Sequence, residues 1–271
     1  MEGKEDKHLK IMITNDDGIF EPGVEALADV LSHFGEVVIV CPDTEKSAYS
    51  HKITLGQPLK LKKIDFAPTA EAYAVNGSPA DCVKLAMEVL LKEKPDIVFT
   101  GINLGPNVGR DMYYSGTIAA AQEAMLYQVP SVAVSLDTFK KENIKFGIVK
   151  QMLYRVVEVI LQNKIAKNVM LNVNLPYTSK ELCKGVAVVP MDLTISRYHY
   201  TALNDPQGQD FYWLKDNYQN LKVNEGTDYQ LLKEGYITVS PIDLKHTQKR
   251  KIDQISRWFT NFNYVQEENY W

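Results

Sequence analysis

The sequence predicts an α/β fold, a Rossmann-like, doubly wound and mostly parallel sheet extended by a C-terminal β-hairpin arm and a C-terminal helix. Over the first two thirds of the chain, short β-branched runs alternate with stretches of helical period. Polar segments with glycine follow several of these runs, and an aromatic-rich stretch begins after about residue 190. Strands that alternate with helices imply parallel β-α-β units, which build a doubly wound sheet.

The first elements are expected in the order strand, helix, strand. An apolar run at residues 10–14 stops at the turn signal NDDG and is typical of a buried strand. A helix is expected over residues 21–34, because Val24, Leu27 and Leu31 recur at helical spacing and a glycine follows. The run VVIVC at residues 37–41 then has the β-branched character of a strand buried on both faces.

The next helix has a strong start signal. Ser78 is an N-cap hydroxyl, Pro79 suits the first turn and Asp81 follows at capping-box spacing, before an apolar run to residue 91. Residues 57–75 interrupt the alternation and are typical of an inserted hairpin. Later strands are expected at residues 96–100, 131–135 and 169–175, with helical stretches at 118–127 and 144–161 between them.

The chain is expected to consist of an α/β catalytic domain at residues 1–190 and a C-terminal part at 191–271. Aromatic residues become dense around NDPQG at residues 204–208, which predicts a long hairpin. Because an isolated hairpin is marginally stable in water, its aromatic faces are expected to pack on another subunit. The final strand and a helix near residues 252–259 are expected to serve the same oligomerisation.

Composition narrows the functional class. The 271 residues are 45% hydrophobic and 24% charged, as in soluble enzymes, and no segment has the apolar length of a membrane span. We therefore expect a cytoplasmic protein. The net charge of −4 gives no general attraction to nucleic acid or to an anionic membrane, so neither is an expected partner. The three cysteines lie far apart without C-x-x-C spacing, which argues against a zinc knuckle or a disulfide framework.

Two acidic residues end the first predicted strand. Ligand sites of open α/β sheets lie beyond the carboxyl ends of the strands, and TNDDG at residues 14–18 places Asp16 and Asp17 there. Adjacent carboxylates repel each other unless a cation or a proton lies between them, and oxygen donors favour Mg²⁺ or Mn²⁺. This short signal alone is more often a surface turn, so it needs support from other loops.

Three further polar segments are expected at the same edge of the sheet. The loop at residues 42–54 offers Ser47, whose hydroxyl can complete a metal shell. The loop at residues 101–109 carries amides at Asn103 and Asn107, which ligate a metal through oxygen or donate to phosphate through nitrogen.

The fourth segment is Tyr114-Ser115-Gly116-Thr117, which opens a helix and offers hydroxyl and N–H groups to an anion. Ser115 is equally suited to be a simple N-cap. Each loop has such a structural alternative, but acids, amides, hydroxyls and a helix terminus at one edge together favour a binding site.

Seven sequence motifs follow one another in the order of a known family. They are TNDDG, KSAYSHKIT, GSPADCVKLA, PDIVFTGINLGPNVGRDMYYSGT, LNVNLP, DPQGQDFYWL and GTDYQLLKEGYITVSP. Over nearly its whole length the chain therefore resembles the SurE (stationary-phase survival protein) family of nucleotidases. The resemblance implies a divalent-metal-dependent 5′- and 3′-nucleotidase with broad phosphomonoesterase activity, which in some members extends to exopolyphosphatase activity on short polyphosphate.

The resemblance also implies a site, residue by residue. One Mg²⁺ or Mn²⁺ per subunit is expected on Asp16, Asp17, Ser47 and Asn103. The phosphate of a nucleoside monophosphate is expected on Asn107, Ser115, Gly116 and Thr117. The expected catalytic residues are Asp16, Asp17 and Asn107.

The family also implies a homodimer or homotetramer with exchanged C-terminal segments. Three positions depart from the commonest family pattern. Lys46 stands where arginine is frequent, and Gln207 and Gln209 replace arginines of the D-P-x-G segment, so the tip of the hairpin lacks a cationic fork for phosphate.

Alternatives remain open for the nucleophile and for the function. A metal-activated water is preferred as nucleophile, and a carboxylate of Asp16 or Asp17 is the rival. A haloacid-dehalogenase-like phosphatase would need Asp-x-Asp, whereas the two acids here are adjacent. A dinucleotide-binding dehydrogenase would need glycine-rich spacing directly after the first strand, which NDDGIFEPG lacks. A binding scaffold without turnover is the third alternative.

Overall fold

The computed structural model describes residues 9–66, 70–140, 142–244 and 247–260, and a large mixed sheet forms its centre. The strands of that sheet are β1 (Leu9–Thr14), β2 (Gly35–Pro42), β3 (Leu61–Ile64), β4 (Ala70–Val75), β5 (Ile97–Leu104), β6 (Ser131–Asp137), β7 (Val169–Pro176), β8 (Val186–Val188) and, later in the chain, β11 (Ile237–Asp243). The intervening β9 (Tyr198–Asn204) and β10 (Asp210–Asp216) form a separate hairpin.

The sheet has the order β3-β4-β2-β1-β5-β6-β7-β11-β8. From β4 through β7 all neighbouring strands are parallel, whereas β3 and β11 run antiparallel to their neighbours β4 and β7. The chain winds outward from β1 through β2 to β4, then returns to the centre and continues from β5 in the other direction. The predicted doubly wound α/β class is therefore confirmed, and the direction of winding changes between β1 and β5.

The segment predicted as a hairpin at residues 57–75 widens the sheet. Its strands β3 and β4 pair antiparallel, with Leu61 opposite Val75. Strand β4 also pairs in parallel with β2, with Val37 opposite Ala70. The expected division of the chain at residue 190 stays a prediction, and β11 from beyond that point lies between β7 and β8.

The helices of the described residues are α1 (Pro22–Leu31), α2 (Pro79–Leu85), α3 (Gly116–Leu126), α4 (Phe146–Gln162), α5 (Asp228–Lys233) and α6 (Lys249–Ser256). The capping box before α2 forms as the sequence predicts. Asp81 N–H donates to Ser78 Oγ at 3.1 Å, and Ser78 N–H donates to Asp81 Oδ2 at 2.8 Å. The expected helix to residue 91 changes character after α2, because Ala86–Leu90 forms a π-helical turn.

Both faces of the central strands are buried. Along β1, Ile11 and Ile13 belong to the core under α1 and α4, whereas Met12 between them belongs to the core under α2 and α3. Neighbouring β5 divides in the same way, with Phe99 on the first face and Val98 on the second. Side chains of a strand alternate between the two faces, so strands covered by helices on both sides are apolar throughout.

The hairpin of β9 and β10 is the predicted arm. Its turn is closed by Asp205 Oδ1, which accepts N–H groups of Gln207 at 2.9 Å and Gln209 at 2.8 Å. Large aromatic side chains are exposed on it: Tyr200, Phe211, Tyr212 and Trp213. The C-terminal helix is present as α6, followed by a 3₁₀ turn at Arg257–Phe259, and neither contains a buried residue. Among the described residues, no helix combines the length and the apolar character needed to cross a membrane.

Candidate active site

The loop after β1 places two carboxylates at the centre of the carboxyl edge. Asn15 Nδ2 donates to the carbonyl of Gly18 at 2.9 Å and closes the loop. Asp16 and Asp17 lie within this loop and are only 4% and 8% exposed. Because β1 and β5 are neighbours where the winding changes direction, the two acids lie at the topological switch point, where ligands of such sheets bind.

The carboxylate of Asp16 is held against the first turn of α3. The hydroxyl of Thr117 donates to Asp16 Oδ1. Burial raises the pKa of Asp16, whereas the Thr117 hydroxyl and the backbone N–H groups of Thr117 and Gly116 act in the opposite direction because they stabilise the anion. A Cβ at Gly116 would lie 2.8 Å from Asp16 Cβ, so the close approach of the helix requires glycine. The anion at this helix N-terminus is therefore Asp16 itself.

Asp17 lies in a less compensated environment. Its Oδ2 accepts the backbone N–H of Leu104 at 3.4 Å, which connects β1 to the end of β5. Burial, together with the negative charge of Asp16, raises the pKa of Asp17 to about 7. Two buried and adjacent acids of this kind need a cation or a proton to be stable at neutral pH.

The amide near the end of β5 and the amide just after the strand have different environments. Asn103 Nδ2 donates to the carbonyl of Gly105 at 2.6 Å, so the nitrogen end is engaged within the loop and the oxygen end is the one suited to a cation. Asn107 is nearly completely buried, and its Nδ2 donates to Ser135 Oγ at 2.8 Å. A carboxamide nitrogen carries two protons, so Asn107 retains a second N–H for a ligand.

Side chains from β6 and β7 hold the backbone of Asn107. Asn107 N–H donates to Asn174 Oδ1 at 2.8 Å, and its carbonyl accepts from Asn172 Nδ2 at 2.7 Å. Ser135 of β6 binds the side chain of Asn107, so side chains from two neighbouring strands together position this residue. Because the N–H, the carbonyl and the side-chain nitrogen of Asn107 are all hydrogen-bonded, the loop is held in one conformation.

The loop at residues 42–54, here called the serine loop, contacts the loop that contains Asp16. Lys46 N–H donates to the carbonyl of Asp16 at 2.7 Å, and a ring nitrogen of His51 hydrogen-bonds to Glu123 of α3 at 2.8 Å. These contacts hold both ends of the segment that contains Ser47. The Ser47 hydroxyl is exposed and donates to Glu45 at 2.8 Å.

A cavity of about 210 Å³ brings most of the predicted residues together. Its lining includes Asp16, Ser47, Asn103, Asn107 and Ser115. Three predicted residues lie outside that lining: Asp17, Gly116 and Thr117. Thr117 is 0% exposed, and its hydroxyl hydrogen-bonds to the carboxylate of Asp16 instead of lining the cavity. Direct contact of Thr117 with substrate stays a prediction.

Sequence reasoning missed one wall of this cavity. Tyr114 of the fourth predicted segment also lines it, and the polar and aromatic residues that were not predicted are Asp111, Phe139, Arg197 and Tyr198. Arg197 is only 6% exposed, and its Nε lies 3.2 Å from Asp111 Oδ2. No local pattern connects positions so distant in sequence. The sequence offered one signal, the arginine directly before the aromatic hairpin. In the structure, Arg197 and Tyr198 lie at the base of the arm and line the cavity.

Fold and site together define an α/β protein with an oxygen-rich, doubly acidic cavity at the switch point of its sheet. A family model described as Survival protein SurE matches residues 11–197. The chain belongs to the SurE family, which confirms the resemblance seen in the motifs.

Relatives with known names extend over most of the chain. It is 40% identical over 250 residues to 5'-nucleotidase SurE of Thermoanaerobacter sp. (strain X514), covering 92% of this chain and 98% of the relative. It is 39% identical over 251 residues to 5'-nucleotidase SurE of Heliobacterium modesticaldum, covering 92% of each. The crystal structure of the SurE protein from Aquifex aeolicus matches with a TM-score of 0.81 at 36% identity, covering 92% of this chain and 98% of that one.

Replacing Asn174 should show how strongly the asparagine network stabilises the site. Asn174→Ala leaves the buried N–H of Asn107 without an acceptor, so we expect the free energy of unfolding to fall by about 1–3 kcal/mol. Urea denaturation followed by circular dichroism measures the change. Asn163→Ala is the control, because that exposed side chain bonds only the nearby Val159 carbonyl, and its effect should stay within about 0.5 kcal/mol. Equal losses in both variants would contradict the role of the network.

Proposed function

We propose that this protein is a divalent-metal-dependent nucleotidase that converts nucleoside 5′- and 3′-monophosphates to nucleoside and phosphate. The observation that carries the proposal is the pair of buried carboxylates, Asp16 and Asp17, at the switch point of the sheet. The relatives named 5'-nucleotidase SurE support this enzyme class. The proposal extends to broad phosphomonoesterase activity and to exopolyphosphatase activity. The proposed hydrogen-bond donors of the cavity bind the phosphate group, which all of these substrates share.

The donor types fit a hard cation. Among the described residues there is no group of three or more His, Cys, Asp and Glu side chains that could hold a metal, so a cation here would have two carboxylates and neutral oxygens. We assign one Mg²⁺ or Mn²⁺ per subunit to Asp16, Asp17, Ser47 and Asn103, which offer two carboxylates, a hydroxyl and an amide oxygen. When bound, the cation supplies positive charge and Lewis acidity to the phosphate of the substrate.

The polar groups of this chain then bind and orient the phosphate. Ser115 Oγ accepts the N–H of Ile118 at 3.2 Å, which leaves its own proton to donate into the cavity that it lines. Asn107 offers its second amide proton to the same space. Thr117 and Gly116 act behind the cavity, since they hold the Asp16 carboxylate in place. Donors fixed before the substrate arrives need no reorganisation during the reaction.

We prefer attack by a water molecule over attack by a carboxylate. Asp16 already accepts hydrogen bonds from the Thr117 hydroxyl and from backbone N–H groups, which reduces its nucleophilicity. A haloacid-dehalogenase-like course would form a phosphoaspartate, and trapping that species on Asp16 or Asp17 would favour it. A scaffold without turnover would show no phosphate release in a colorimetric assay with either metal.

The quaternary structure and the location complete the proposal. Exposed aromatic side chains on the arm and exposed apolar residues on α6 need cover, which a homodimer or homotetramer supplies. The assignment of residues 191–271 to oligomerisation is part of the same proposal. The cytoplasmic location and the lack of a nucleic-acid or membrane partner stay predictions from composition and charge.

Asp17→Asn should abolish metal-dependent phosphatase activity. The amide keeps the shape of the side chain but removes the charge, so we expect turnover of p-nitrophenyl phosphate to fall about a hundredfold or more, while the melting temperature hardly changes. Asp29→Asn is a matched control on the exposed face of α1 and should retain wild-type turnover. Near-normal turnover of Asp17→Asn at all metal concentrations would refute the metal assignment.

Variants of the two amides should separate metal binding from phosphate binding. Asn103→Ala should raise the Mn²⁺ concentration for half-maximal activity about tenfold, because an oxygen ligand is lost. Asn107→Ala should instead lower kcat/KM about tenfold at saturating Mn²⁺, because a donor to phosphate is lost. Metal titrations of AMP hydrolysis measure both effects. Equal rescue of both variants by excess Mn²⁺ would show that the two roles are not separate.

A shortened arm should test its quaternary role without disturbing the cavity. Tyr200 lies opposite Leu214 in the hairpin, so residues 201–213 can be replaced by an Asn-Gly turn that leaves Arg197 and Tyr198 in place. We expect a smaller oligomer by light scattering, because about 25 cal/mol is lost for each Å² of apolar area no longer covered. The Mn²⁺ dependence should not change. An unchanged oligomer with weakened metal binding would place the arm in the ligand shell instead.

A further inference from the structure

The cavity contains a buried arginine whose hydrogen-bonding capacity is largely unused. Arg197 is 6% exposed, and neither its Nε nor its Nη1 has a hydrogen-bond partner among the described residues. Nη2 donates to the hydroxyl of the adjacent Tyr198, and Nε lies within ion-pair distance of Asp111 without forming a hydrogen bond. Buried donors without partners are rare because each costs free energy, so a group of this kind in a binding cavity indicates a ligand.

Aromatic rings restrict how this guanidinium can bind. Its Cζ lies 4.7 Å from the ring centre of Tyr198, 5.2 Å from that of Phe139 and 5.4 Å from that of Tyr218. The rings favour the positive charge and hold the group in place. The side chain is therefore rigid, and the residue forms part of the cavity wall.

Two carboxylates lie beside the Arg197 guanidinium. Its Nε lies 3.2 Å from Asp111 Oδ2 and 3.6 Å from Asp216 Oδ1, and the Asp216 side chain is partly open to solvent. Both ion pairs are made by Nε, and Nη1 has no hydrogen-bond partner among the described residues.

We propose that Arg197 binds the phosphate of the substrate, with its guanidinium donating to a phosphate oxygen in the cavity that Asp16, Asn107 and Ser115 also line. This inference rests on the proposed nucleotidase function. The guanidinium of Arg197 is then a cationic group for phosphate in a chain that has glutamines at positions 207 and 209.

Replacing Arg197 in the metal-loaded enzyme tests the inference. At saturating Mn²⁺, Arg197→Gln should raise both the KM for AMP and the inhibition constant of inorganic phosphate about tenfold or more, the effect of losing one charged hydrogen bond. Arg197→Lys should restore part of the affinity, because it keeps the charge. Arg110→Gln is the matched control, since exposed Arg110 bonds the carbonyl of Leu193 and does not line the cavity, and both constants should stay within about twofold.

A purely structural role gives a different result. In that case Arg197→Gln would lower the melting temperature while the folded enzyme keeps the wild-type KM and phosphate inhibition, and the inference would be wrong. If Arg197→Gln does not fold, ¹⁵N NMR of the arginine side chains in the wild-type enzyme tests whether Arg197 binds phosphate. The Arg197 signal, assigned with the Arg197→Lys spectrum, should shift on titration with inorganic phosphate, and an unmoved signal would overturn the inference.

The same experiments separate this inference from the proposed function. A wild-type enzyme that binds phosphate through Arg197 but hydrolyses no monophosphate would refute the nucleotidase proposal and support the anion site. A wild-type enzyme that hydrolyses AMP with a KM that Arg197→Gln leaves unchanged would support the nucleotidase proposal and refute the role of Arg197.

Discussion

The carboxylate of Asp16 at the N-terminus of α3 is the interaction on which the rest of the site depends. A buried charge needs donors, and here they come from the Thr117 hydroxyl and the first N–H groups of the helix, whose dipole also favours an anion. The carbonyl of the same residue accepts the N–H of Lys46 from the serine loop. Through Asp16, the end of β1, the start of α3 and the serine loop are joined, and the absence of a side chain at Gly116 permits the contact.

A second set of buried polar contacts stabilises the other half of the site. Ser135, Asn172 and Asn174 extend from β6 and β7 and satisfy Asn107 on its side chain, carbonyl and N–H. These three hydrogen bonds to Asn107 favour one loop conformation. Asn107 therefore presents its remaining proton from a rigid position, as electrostatic stabilisation of a phosphate requires.

The arm and the cavity are physically connected. Arg197 and Tyr198 belong to the cavity wall, while the exposed aromatic residues follow directly along the same hairpin. Asn217 N–H donates to the Arg197 carbonyl at 3.0 Å and closes the base of the hairpin. Any subunit that packs on the arm therefore acts close to the residue we assign to phosphate binding.

The sequence by itself determined the alternation of strands and helices, the capping box at Ser78, and the placement of Asp16 and Asn103 at one edge, because local periodicity and parallel connections require these features. Only the tertiary structure decided that Thr117 is directed to Asp16 rather than into the cavity, that β4 joins the sheet beside β2, and that Arg197 meets Asp111. These contacts join residues distant in sequence, and no local propensity or spacing encodes which distant groups pack together.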